Sequence, residues 1–146
     1  MKLNTKMRYG SRAMLELALH YQEGPLSLTQ VAAAQEISDK YLELLFASLR
    51  AAGLVHSQRG SRGGYTLARP PEQITLREIF DVLASPEPYV PCTLDHSVCH
   101  RWATCVTQEV WAQMYDASMQ VLQSTTLADL VARNAQRCAS GFTYHI

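Results

Sequence analysis

Between Ser27 and Tyr65 the chain sets two helix starts, an amphipathic run and a glycine-rich hairpin end to end, and that order leaves few folds open. Ser27 and Gln30 form a capping box: the serine hydroxyl satisfies an orphan amide and Gln30 reaches back to the cap, so a short helix runs through Val31 to about Gln35. A turn at Glu36 and Ile37 delivers Ser38, a good N-cap for the next helix. There Leu42, Leu45, Phe46 and Leu49 take the i, i+3, i+4 and i+7 positions and face a core, which turns Lys40, Tyr41, Glu43, Leu44, Ala47 and Arg50 outward. Residues 53–57 then read as a strand, 58–64 as a turn and 65–67 as a returning strand. The glycines of that turn, Gly63 among them, let the tip approach another backbone closely, while Arg59 and Arg62 supply positive charge beside Ser61. Two helices across a tight turn, then a hairpin, make a winged helix-turn-helix whose third helix is built for recognition.

The flanks fit around this unit. Upstream, Met14, Leu17, Ala18 and Tyr21 repeat at helical spacing until Gly24 and Pro25 end the first helix. Downstream, Thr75 and Glu78 form a second capping box that opens a helix through Ile79, Phe80, Val82 and Leu83, and prolines in residues 85–91 then break helical order. After Cys105 a long helix runs to about Gln123. Val106, Val110, Met114, Ala117 and Val121 form one stripe of it, Trp111, Tyr115 and Leu122 widen the stripe, and Glu109 and Asp116 are its only charges. So broad an apolar surface exceeds what one small domain covers and predicts pairing with the same helix of a second subunit. Thr126 and Asp129 mark an N-cap before a short last helix. The expected fold is mainly α with a small β-hairpin: a winged helix-turn-helix over residues 1–84, a cysteine segment over 85–105, and a dimerisation helix with a C-terminal tail over 106–146.

Length and charge agree with this layout. A chain of 146 residues, 47% hydrophobic, has the size of one domain with enough apolar material for a core and an interface. Its net charge of zero hides an asymmetry, since residues 1–70 carry nine Lys and Arg against five Asp and Glu, and residues 71–146 carry four against eight. The field that matters for a polyanion is local to the basic half. No apolar run is long enough to span a bilayer and no signal-peptide core opens the chain, so the expectation is a cytoplasmic protein, with no membrane partner, whose thiols stay reduced.

Three of the four cysteines, Cys92, Cys99 and Cys105, share one segment, with six residues in the first gap and five in the second. Structural zinc sites use tighter pairs, with two to four intervening residues, and fit less well. A looser segment of soft thiolates suits a larger inorganic core, 2Fe–2S or 4Fe–4S, with free or transiently disulfide-bonded thiols as the alternative. A thiol enzyme built on Cys99 beside His100 lacks an oxyanion or acid partner, so no enzymatic activity is expected. Cys138 stands alone near the end.

Together these residues resemble the Rrf-two family of bacterial winged-helix regulators, which includes the IscR, NsrR, RirA and CymR types. The resemblance is carried by residues 1–9, by Gly24 and Pro25, by Tyr41, Leu42, Glu43 and Leu45, by residues 49–55, and by Arg59, Gly60, Gly63, Gly64 and Tyr65. The three cysteines and residues 124–127 complete it, over nearly the whole chain.

The resemblance implies a homodimeric transcription factor on palindromic operators, with a cluster-binding loop beside the dimerisation helix. Two-fold symmetry then sets two third helices in successive major grooves with the wings on flanking backbone or minor groove. Ser38, Lys40, Tyr41 and Arg50 are the expected contacts of the helix, and Arg59, Ser61, Arg62 and Gly63 those of the wing. Glu43 repels phosphate but can accept from a cytosine amino group, and the matching glutamate of IscR-type relatives implies a specificity filter. The relatives' fourth cluster ligand does not carry over: the IscR-type histidine falls on Gln108 and the NsrR-type aspartate on Arg8, leaving His96 and His100 as local candidates. Two alternatives remain open. One is a CymR-type regulator without a cluster, governed by a protein partner, which residues 142–146 resemble. The other is a winged helix with a structural zinc site.

Overall fold

The computed structural model describes residues 3–60, 62–84 and 87–139. Ser61 at the wing tip and residues 142–146, compared above with the CymR type, therefore lie outside the described residues.

Six α-helices and one hairpin follow in the order α1 (Thr5–Leu19), α2 (Leu28–Gln35), α3 (Asp39–Ala51), β1 (Val55–Gln58), β2 (Gly64–Leu67), α4 (Leu76–Leu83), α5 (Val106–Ser124) and α6 (Leu127–Ala139). Local chemistry sets most of these boundaries. The Ser27–Gln30 and Thr75–Glu78 capping boxes are both closed in both directions, at the starts of α2 and α4. Ser38 caps α3 by accepting from the Tyr41 amide, and Thr126 exchanges the same kind of bonds with Asp129 at the start of α6.

The first helix stops sooner than the stripe ending at Tyr21 predicts. His20 sits between Glu16 at 3.3 Å and Glu23 at 2.6 Å, and Gln22 adopts a left-handed backbone with φ of 74°, so the chain turns at His20 instead of continuing to Gly24. Tyr21 still packs against the core, from the turn.

One core gathers Met14 and Leu17 of α1, Val31 of α2, Leu42, Leu45, Phe46 and Leu49 of α3, Ile79 and Phe80 of α4 and Leu127 of α6. The hairpin is antiparallel, pairing Val55 with Leu67 and Gln58 with Gly64. Leu26 adds a single rung to it through two backbone bonds with Tyr65, of 3.0 and 2.8 Å. Gly64 makes this possible, because a β-carbon there would lie 2.2 Å from the Leu26 carbonyl oxygen. At the other end, Thr75 and Thr126 form a second isolated bridge, which ties the start of α4 to the start of α6.

Candidate nucleic-acid interface and cysteine segment

The recognition helix is held from beneath. Leu42, Leu45, Phe46 and Leu49 are buried to within 1% of full enclosure, and the Phe46 ring lies 4.5 Å from that of Tyr65 on β2, so helix and wing share one internal contact. The outer face of α3 is exposed at Ser38, Lys40, Glu43, Leu44, Ala47 and Arg50. Tyr41 departs from the outward expectation. It is half-buried and meets Tyr9 of α1 edge-on, with ring centroids 5.8 Å apart, which braces the N-terminal turn of α3 against α1. The same Tyr9 ring carries the guanidinium of Arg12 at 5.7 Å and that of Arg8 at 6.0 Å.

The wing brings the remaining expected contacts alongside. Arg59 and Arg62 are exposed, and among the described residues neither they nor Lys40 form an ion pair. Arg50 donates to the Ser57 hydroxyl at 3.3 Å, so this arginine links α3 to β1. A β-carbon at Gly63 would meet the Gln58 carbonyl oxygen at 2.4 Å, which makes glycine a requirement of the tip's own geometry.

The cysteine segment is built differently. Three one-turn 3₁₀ helices, Pro91–Thr93, His96–Val98 and Trp102–Thr104, carry the chain from α4 to α5. Cys92, Cys99 and Cys105 are free and half-buried, whereas Cys138 on α6 is free and exposed. Tyr89 hydrogen-bonds Ser118 of α5 at 3.0 Å, and Asp95 caps the second short helix by accepting from Ser97. His96 stacks on Trp102 with centroids 3.8 Å apart, while the Trp102 indole N–H is buried without a hydrogen-bond partner among the described residues. His100 is exposed.

Cys105 occupies the N-cap of α5. A hydrogen bond with the Thr107 hydroxyl at 3.3 Å, then the Gln108 and Thr107 amides and the positive charge of Arg101, hold its thiol below the ordinary range, against a small opposing effect of burial. The donors are thus soft, close in sequence and biased toward the thiolate at one corner, which fits the chemistry of an iron–sulfur cluster. Among the described residues no three Cys, His, Asp or Glu side chains form a group that could hold a metal ion.

Beyond the segment, α5 divides lengthwise. Met119 and Leu122 are buried and Tyr115 packs on the core, while Val106, Val110, Trp111, Met114 and Val121 are exposed. The sequence stripe thus mixes a face covered by this chain with a face that it leaves bare. Sequence reasoning did not identify the Tyr9–Tyr41 brace or the His96–Trp102 stack, because each joins residues with no shared periodicity.

Residues 3–133 match the family described as "Rrf2: Iron-dependent Transcriptional regulator". The chain is 41% identical over 138 residues to protein rrf2 of Nitratidesulfovibrio vulgaris, covering 94% of this chain and 91% of that protein. Among solved structures it is similar to CymR, titled the global cysteine regulator of B. subtilis, with a TM-score of 0.80 and 41% identity over 91% of this chain and 98% of that one. It is also similar to T. potens IscR, with a TM-score of 0.75 and 40% identity over 94% of this chain and 90% of that one.

Proposed function

Because this chain belongs to the Rrf2 family of transcriptional regulators, we propose that it works in the cytoplasm as a homodimer on palindromic double-stranded operators, and that Cys92, Cys99 and Cys105 hold an iron–sulfur cluster, 2Fe–2S or 4Fe–4S, through which it senses iron, redox or nitric oxide status. The protein has no catalytic role; its relatives are regulators.

The observation that carries this reading is where the thiols lie. All three fall on the one segment between α4, which shares the core with α3, and α5, whose bare face is the candidate dimer contact, and the last of them occupies the N-cap position of α5. The description of the matching family as iron-dependent supports a metal at these ligands.

In operator binding, α3 enters the major groove with Ser38 and Lys40 at the phosphates, and Tyr41 beside them is braced by Tyr9 of α1. Glu43 selects cytosine by accepting from its amino group. Arg50 steadies the wing, and Arg59 and Arg62 reach flanking backbone or minor groove from a tip kept narrow by Gly63, beside Ser61. When bound, a cluster supplies redox-labile, soft coordination that oxidants and nitric oxide attack. Cys92, Cys99 and Cys105 would hold it, and doing so would constrain residues 91–105 and the first turn of α5, changing the spacing of the two recognition helices and, by linkage, operator affinity.

A second reading is a CymR-type regulator that needs no cluster and answers to a protein partner. The similarity to B. subtilis CymR favours it. Purification without oxygen distinguishes the two. Visible charge-transfer absorption with iron and acid-labile sulfide bound in defined ratio to the chain supports the cluster, whereas a colourless, iron-free protein overturns it in favour of the second reading.

A further inference from the structure

Leu44 is 54% exposed on the outer face of α3. Between residues 4 and 84 it is the one large hydrophobic side chain left exposed among the described residues; the others belong to Leu3, the cysteine segment and α5. Its neighbours one turn away sharpen the exposure. Lys40 and Glu43 carry charge beside it, while Ala47 and Ser48 on the following turn are small, so the leucine forms a ridge on a face that is otherwise polar or flat. It also lines a shallow hollow with Ser38, Lys40, Tyr41 and Glu43, the residues assigned above to operator contact.

A large aliphatic group in this position cannot read a hydrogen-bond donor or acceptor. On the base edges of the major groove one apolar group is available to it, the C5-methyl of thymine. We propose that Leu44 is a specificity-determining residue that packs against one thymine methyl in each operator half-site, beside the cytosine selected by Glu43. This inference rests on α3 entering the major groove, and goes beyond it by assigning an apolar readout to a residue outside the polar contact set.

The probe is a 30-base-pair duplex enriched from a random library by the full-length protein, then resynthesised with deoxyuridine in place of each thymidine in turn. Deoxyuridine removes the methyl and leaves base pairing intact. At one position per half-site the parent protein loses affinity about fourfold, the factor that corresponds to burying one methyl-sized group, about 0.8 kcal/mol, and about fifteenfold when both half-sites are changed. Leu44→Ala binds the thymidine and deoxyuridine duplexes equally, and Leu44→Gln no longer enriches thymine at that position. Because Leu44 is exposed, both variants retain the parent's thermal midpoint, which confirms their folding. Equal binding of every deoxyuridine duplex by the parent, or an unchanged loss in Leu44→Ala, overturns the proposal while leaving operator binding intact. Failure of the parent to enrich any duplex instead overturns the DNA-binding reading as well.

Discussion

Helices α3 and α5 are both amphipathic in sequence, yet α3 buries all four residues of its apolar stripe while α5 buries Met119 and Leu122 and leaves Val106 74% and Val121 62% exposed. The recognition helix is thus fixed by its own chain, through the shared core, the Tyr9 brace and the Phe46–Tyr65 contact. The long helix is held along one face, through Tyr115, Met119 and Leu122 on the core and Ser118 bonded to Tyr89. Its other face, from Val106 to Val121, is apolar and bare, which is the surface that the proposed dimer would cover. The sensing proposed above needs the cysteine segment to have two arrangements while the framework of α3 keeps one, since only states that differ can be biased by ligand.

The comparison breaks most easily at the largest side chain of the reader. Phe46→Ala opens a cavity under α3 and lowers unfolding free energy by about 4 kcal/mol, read from denaturant midpoints. A loss as small as that of a surface change would mean that α3 does not depend on this core. Next, Gly64→Ala drives a β-carbon into the Leu26 carbonyl and costs about 2 kcal/mol, with loss of slow exchange at the Leu26 and Tyr65 amides.

Replacing Arg59 and Arg62 together by Ala leaves stability alone but weakens operator binding about tenfold at moderate salt. It also lowers the slope of log affinity against log salt by about 4, because the dimer carries two copies of each arginine and each one that neutralises a phosphate contributes about one unit. A parallel salt titration of parent and variant checks this.

A smaller effect depends on pH. Burial pushes the Glu78 carboxyl up, but hydrogen bonds from Arg69 and from the Thr75 backbone and hydroxyl prevail and hold it below its ordinary value of 4.5. Its contribution is therefore complete above that pH and is lost as pH falls through the folded-state value. Since both partners are more than a third exposed, screening leaves about 0.5 kcal/mol, of which Glu78→Gln removes all at pH 7 and progressively less as pH falls through the folded-state value. Smallest of all, serine at positions 92, 99 and 105 moves the thermal midpoint of iron-free protein by less than about 2 °C, because the three thiols lie outside the core that holds the reader. A large drop in that triple variant would erase the contrast between the two regions.

The reader was legible because its signals are local. Capping boxes at Ser27 and Thr75, the N-cap at Ser38 and the apolar stripe of α3 each lie within a few residues, and each forms as the sequence predicts. Tyr41 was misjudged because its partner, Tyr9, is more than thirty positions away on α1, beyond any helical period. The end of α1 was missed because charge pairing around His20, and not the glycine downstream, turns the chain. In the cysteine segment the sequence names three candidate thiols but not the backbone that carries them, since one-turn helices have no periodicity to read.

The central claim is that thiolate coordination between α4 and α5 is coupled to how α3 meets the operator. Its most direct test measures the affinity of one enriched duplex for two air-free preparations of the same protein, one carrying iron and sulfide and one stripped of both, at matched salt. The account predicts dissociation constants that differ by about tenfold or more, and no difference between mock-treated samples of the triple serine variant. Equal affinities for the loaded and stripped protein contradict it.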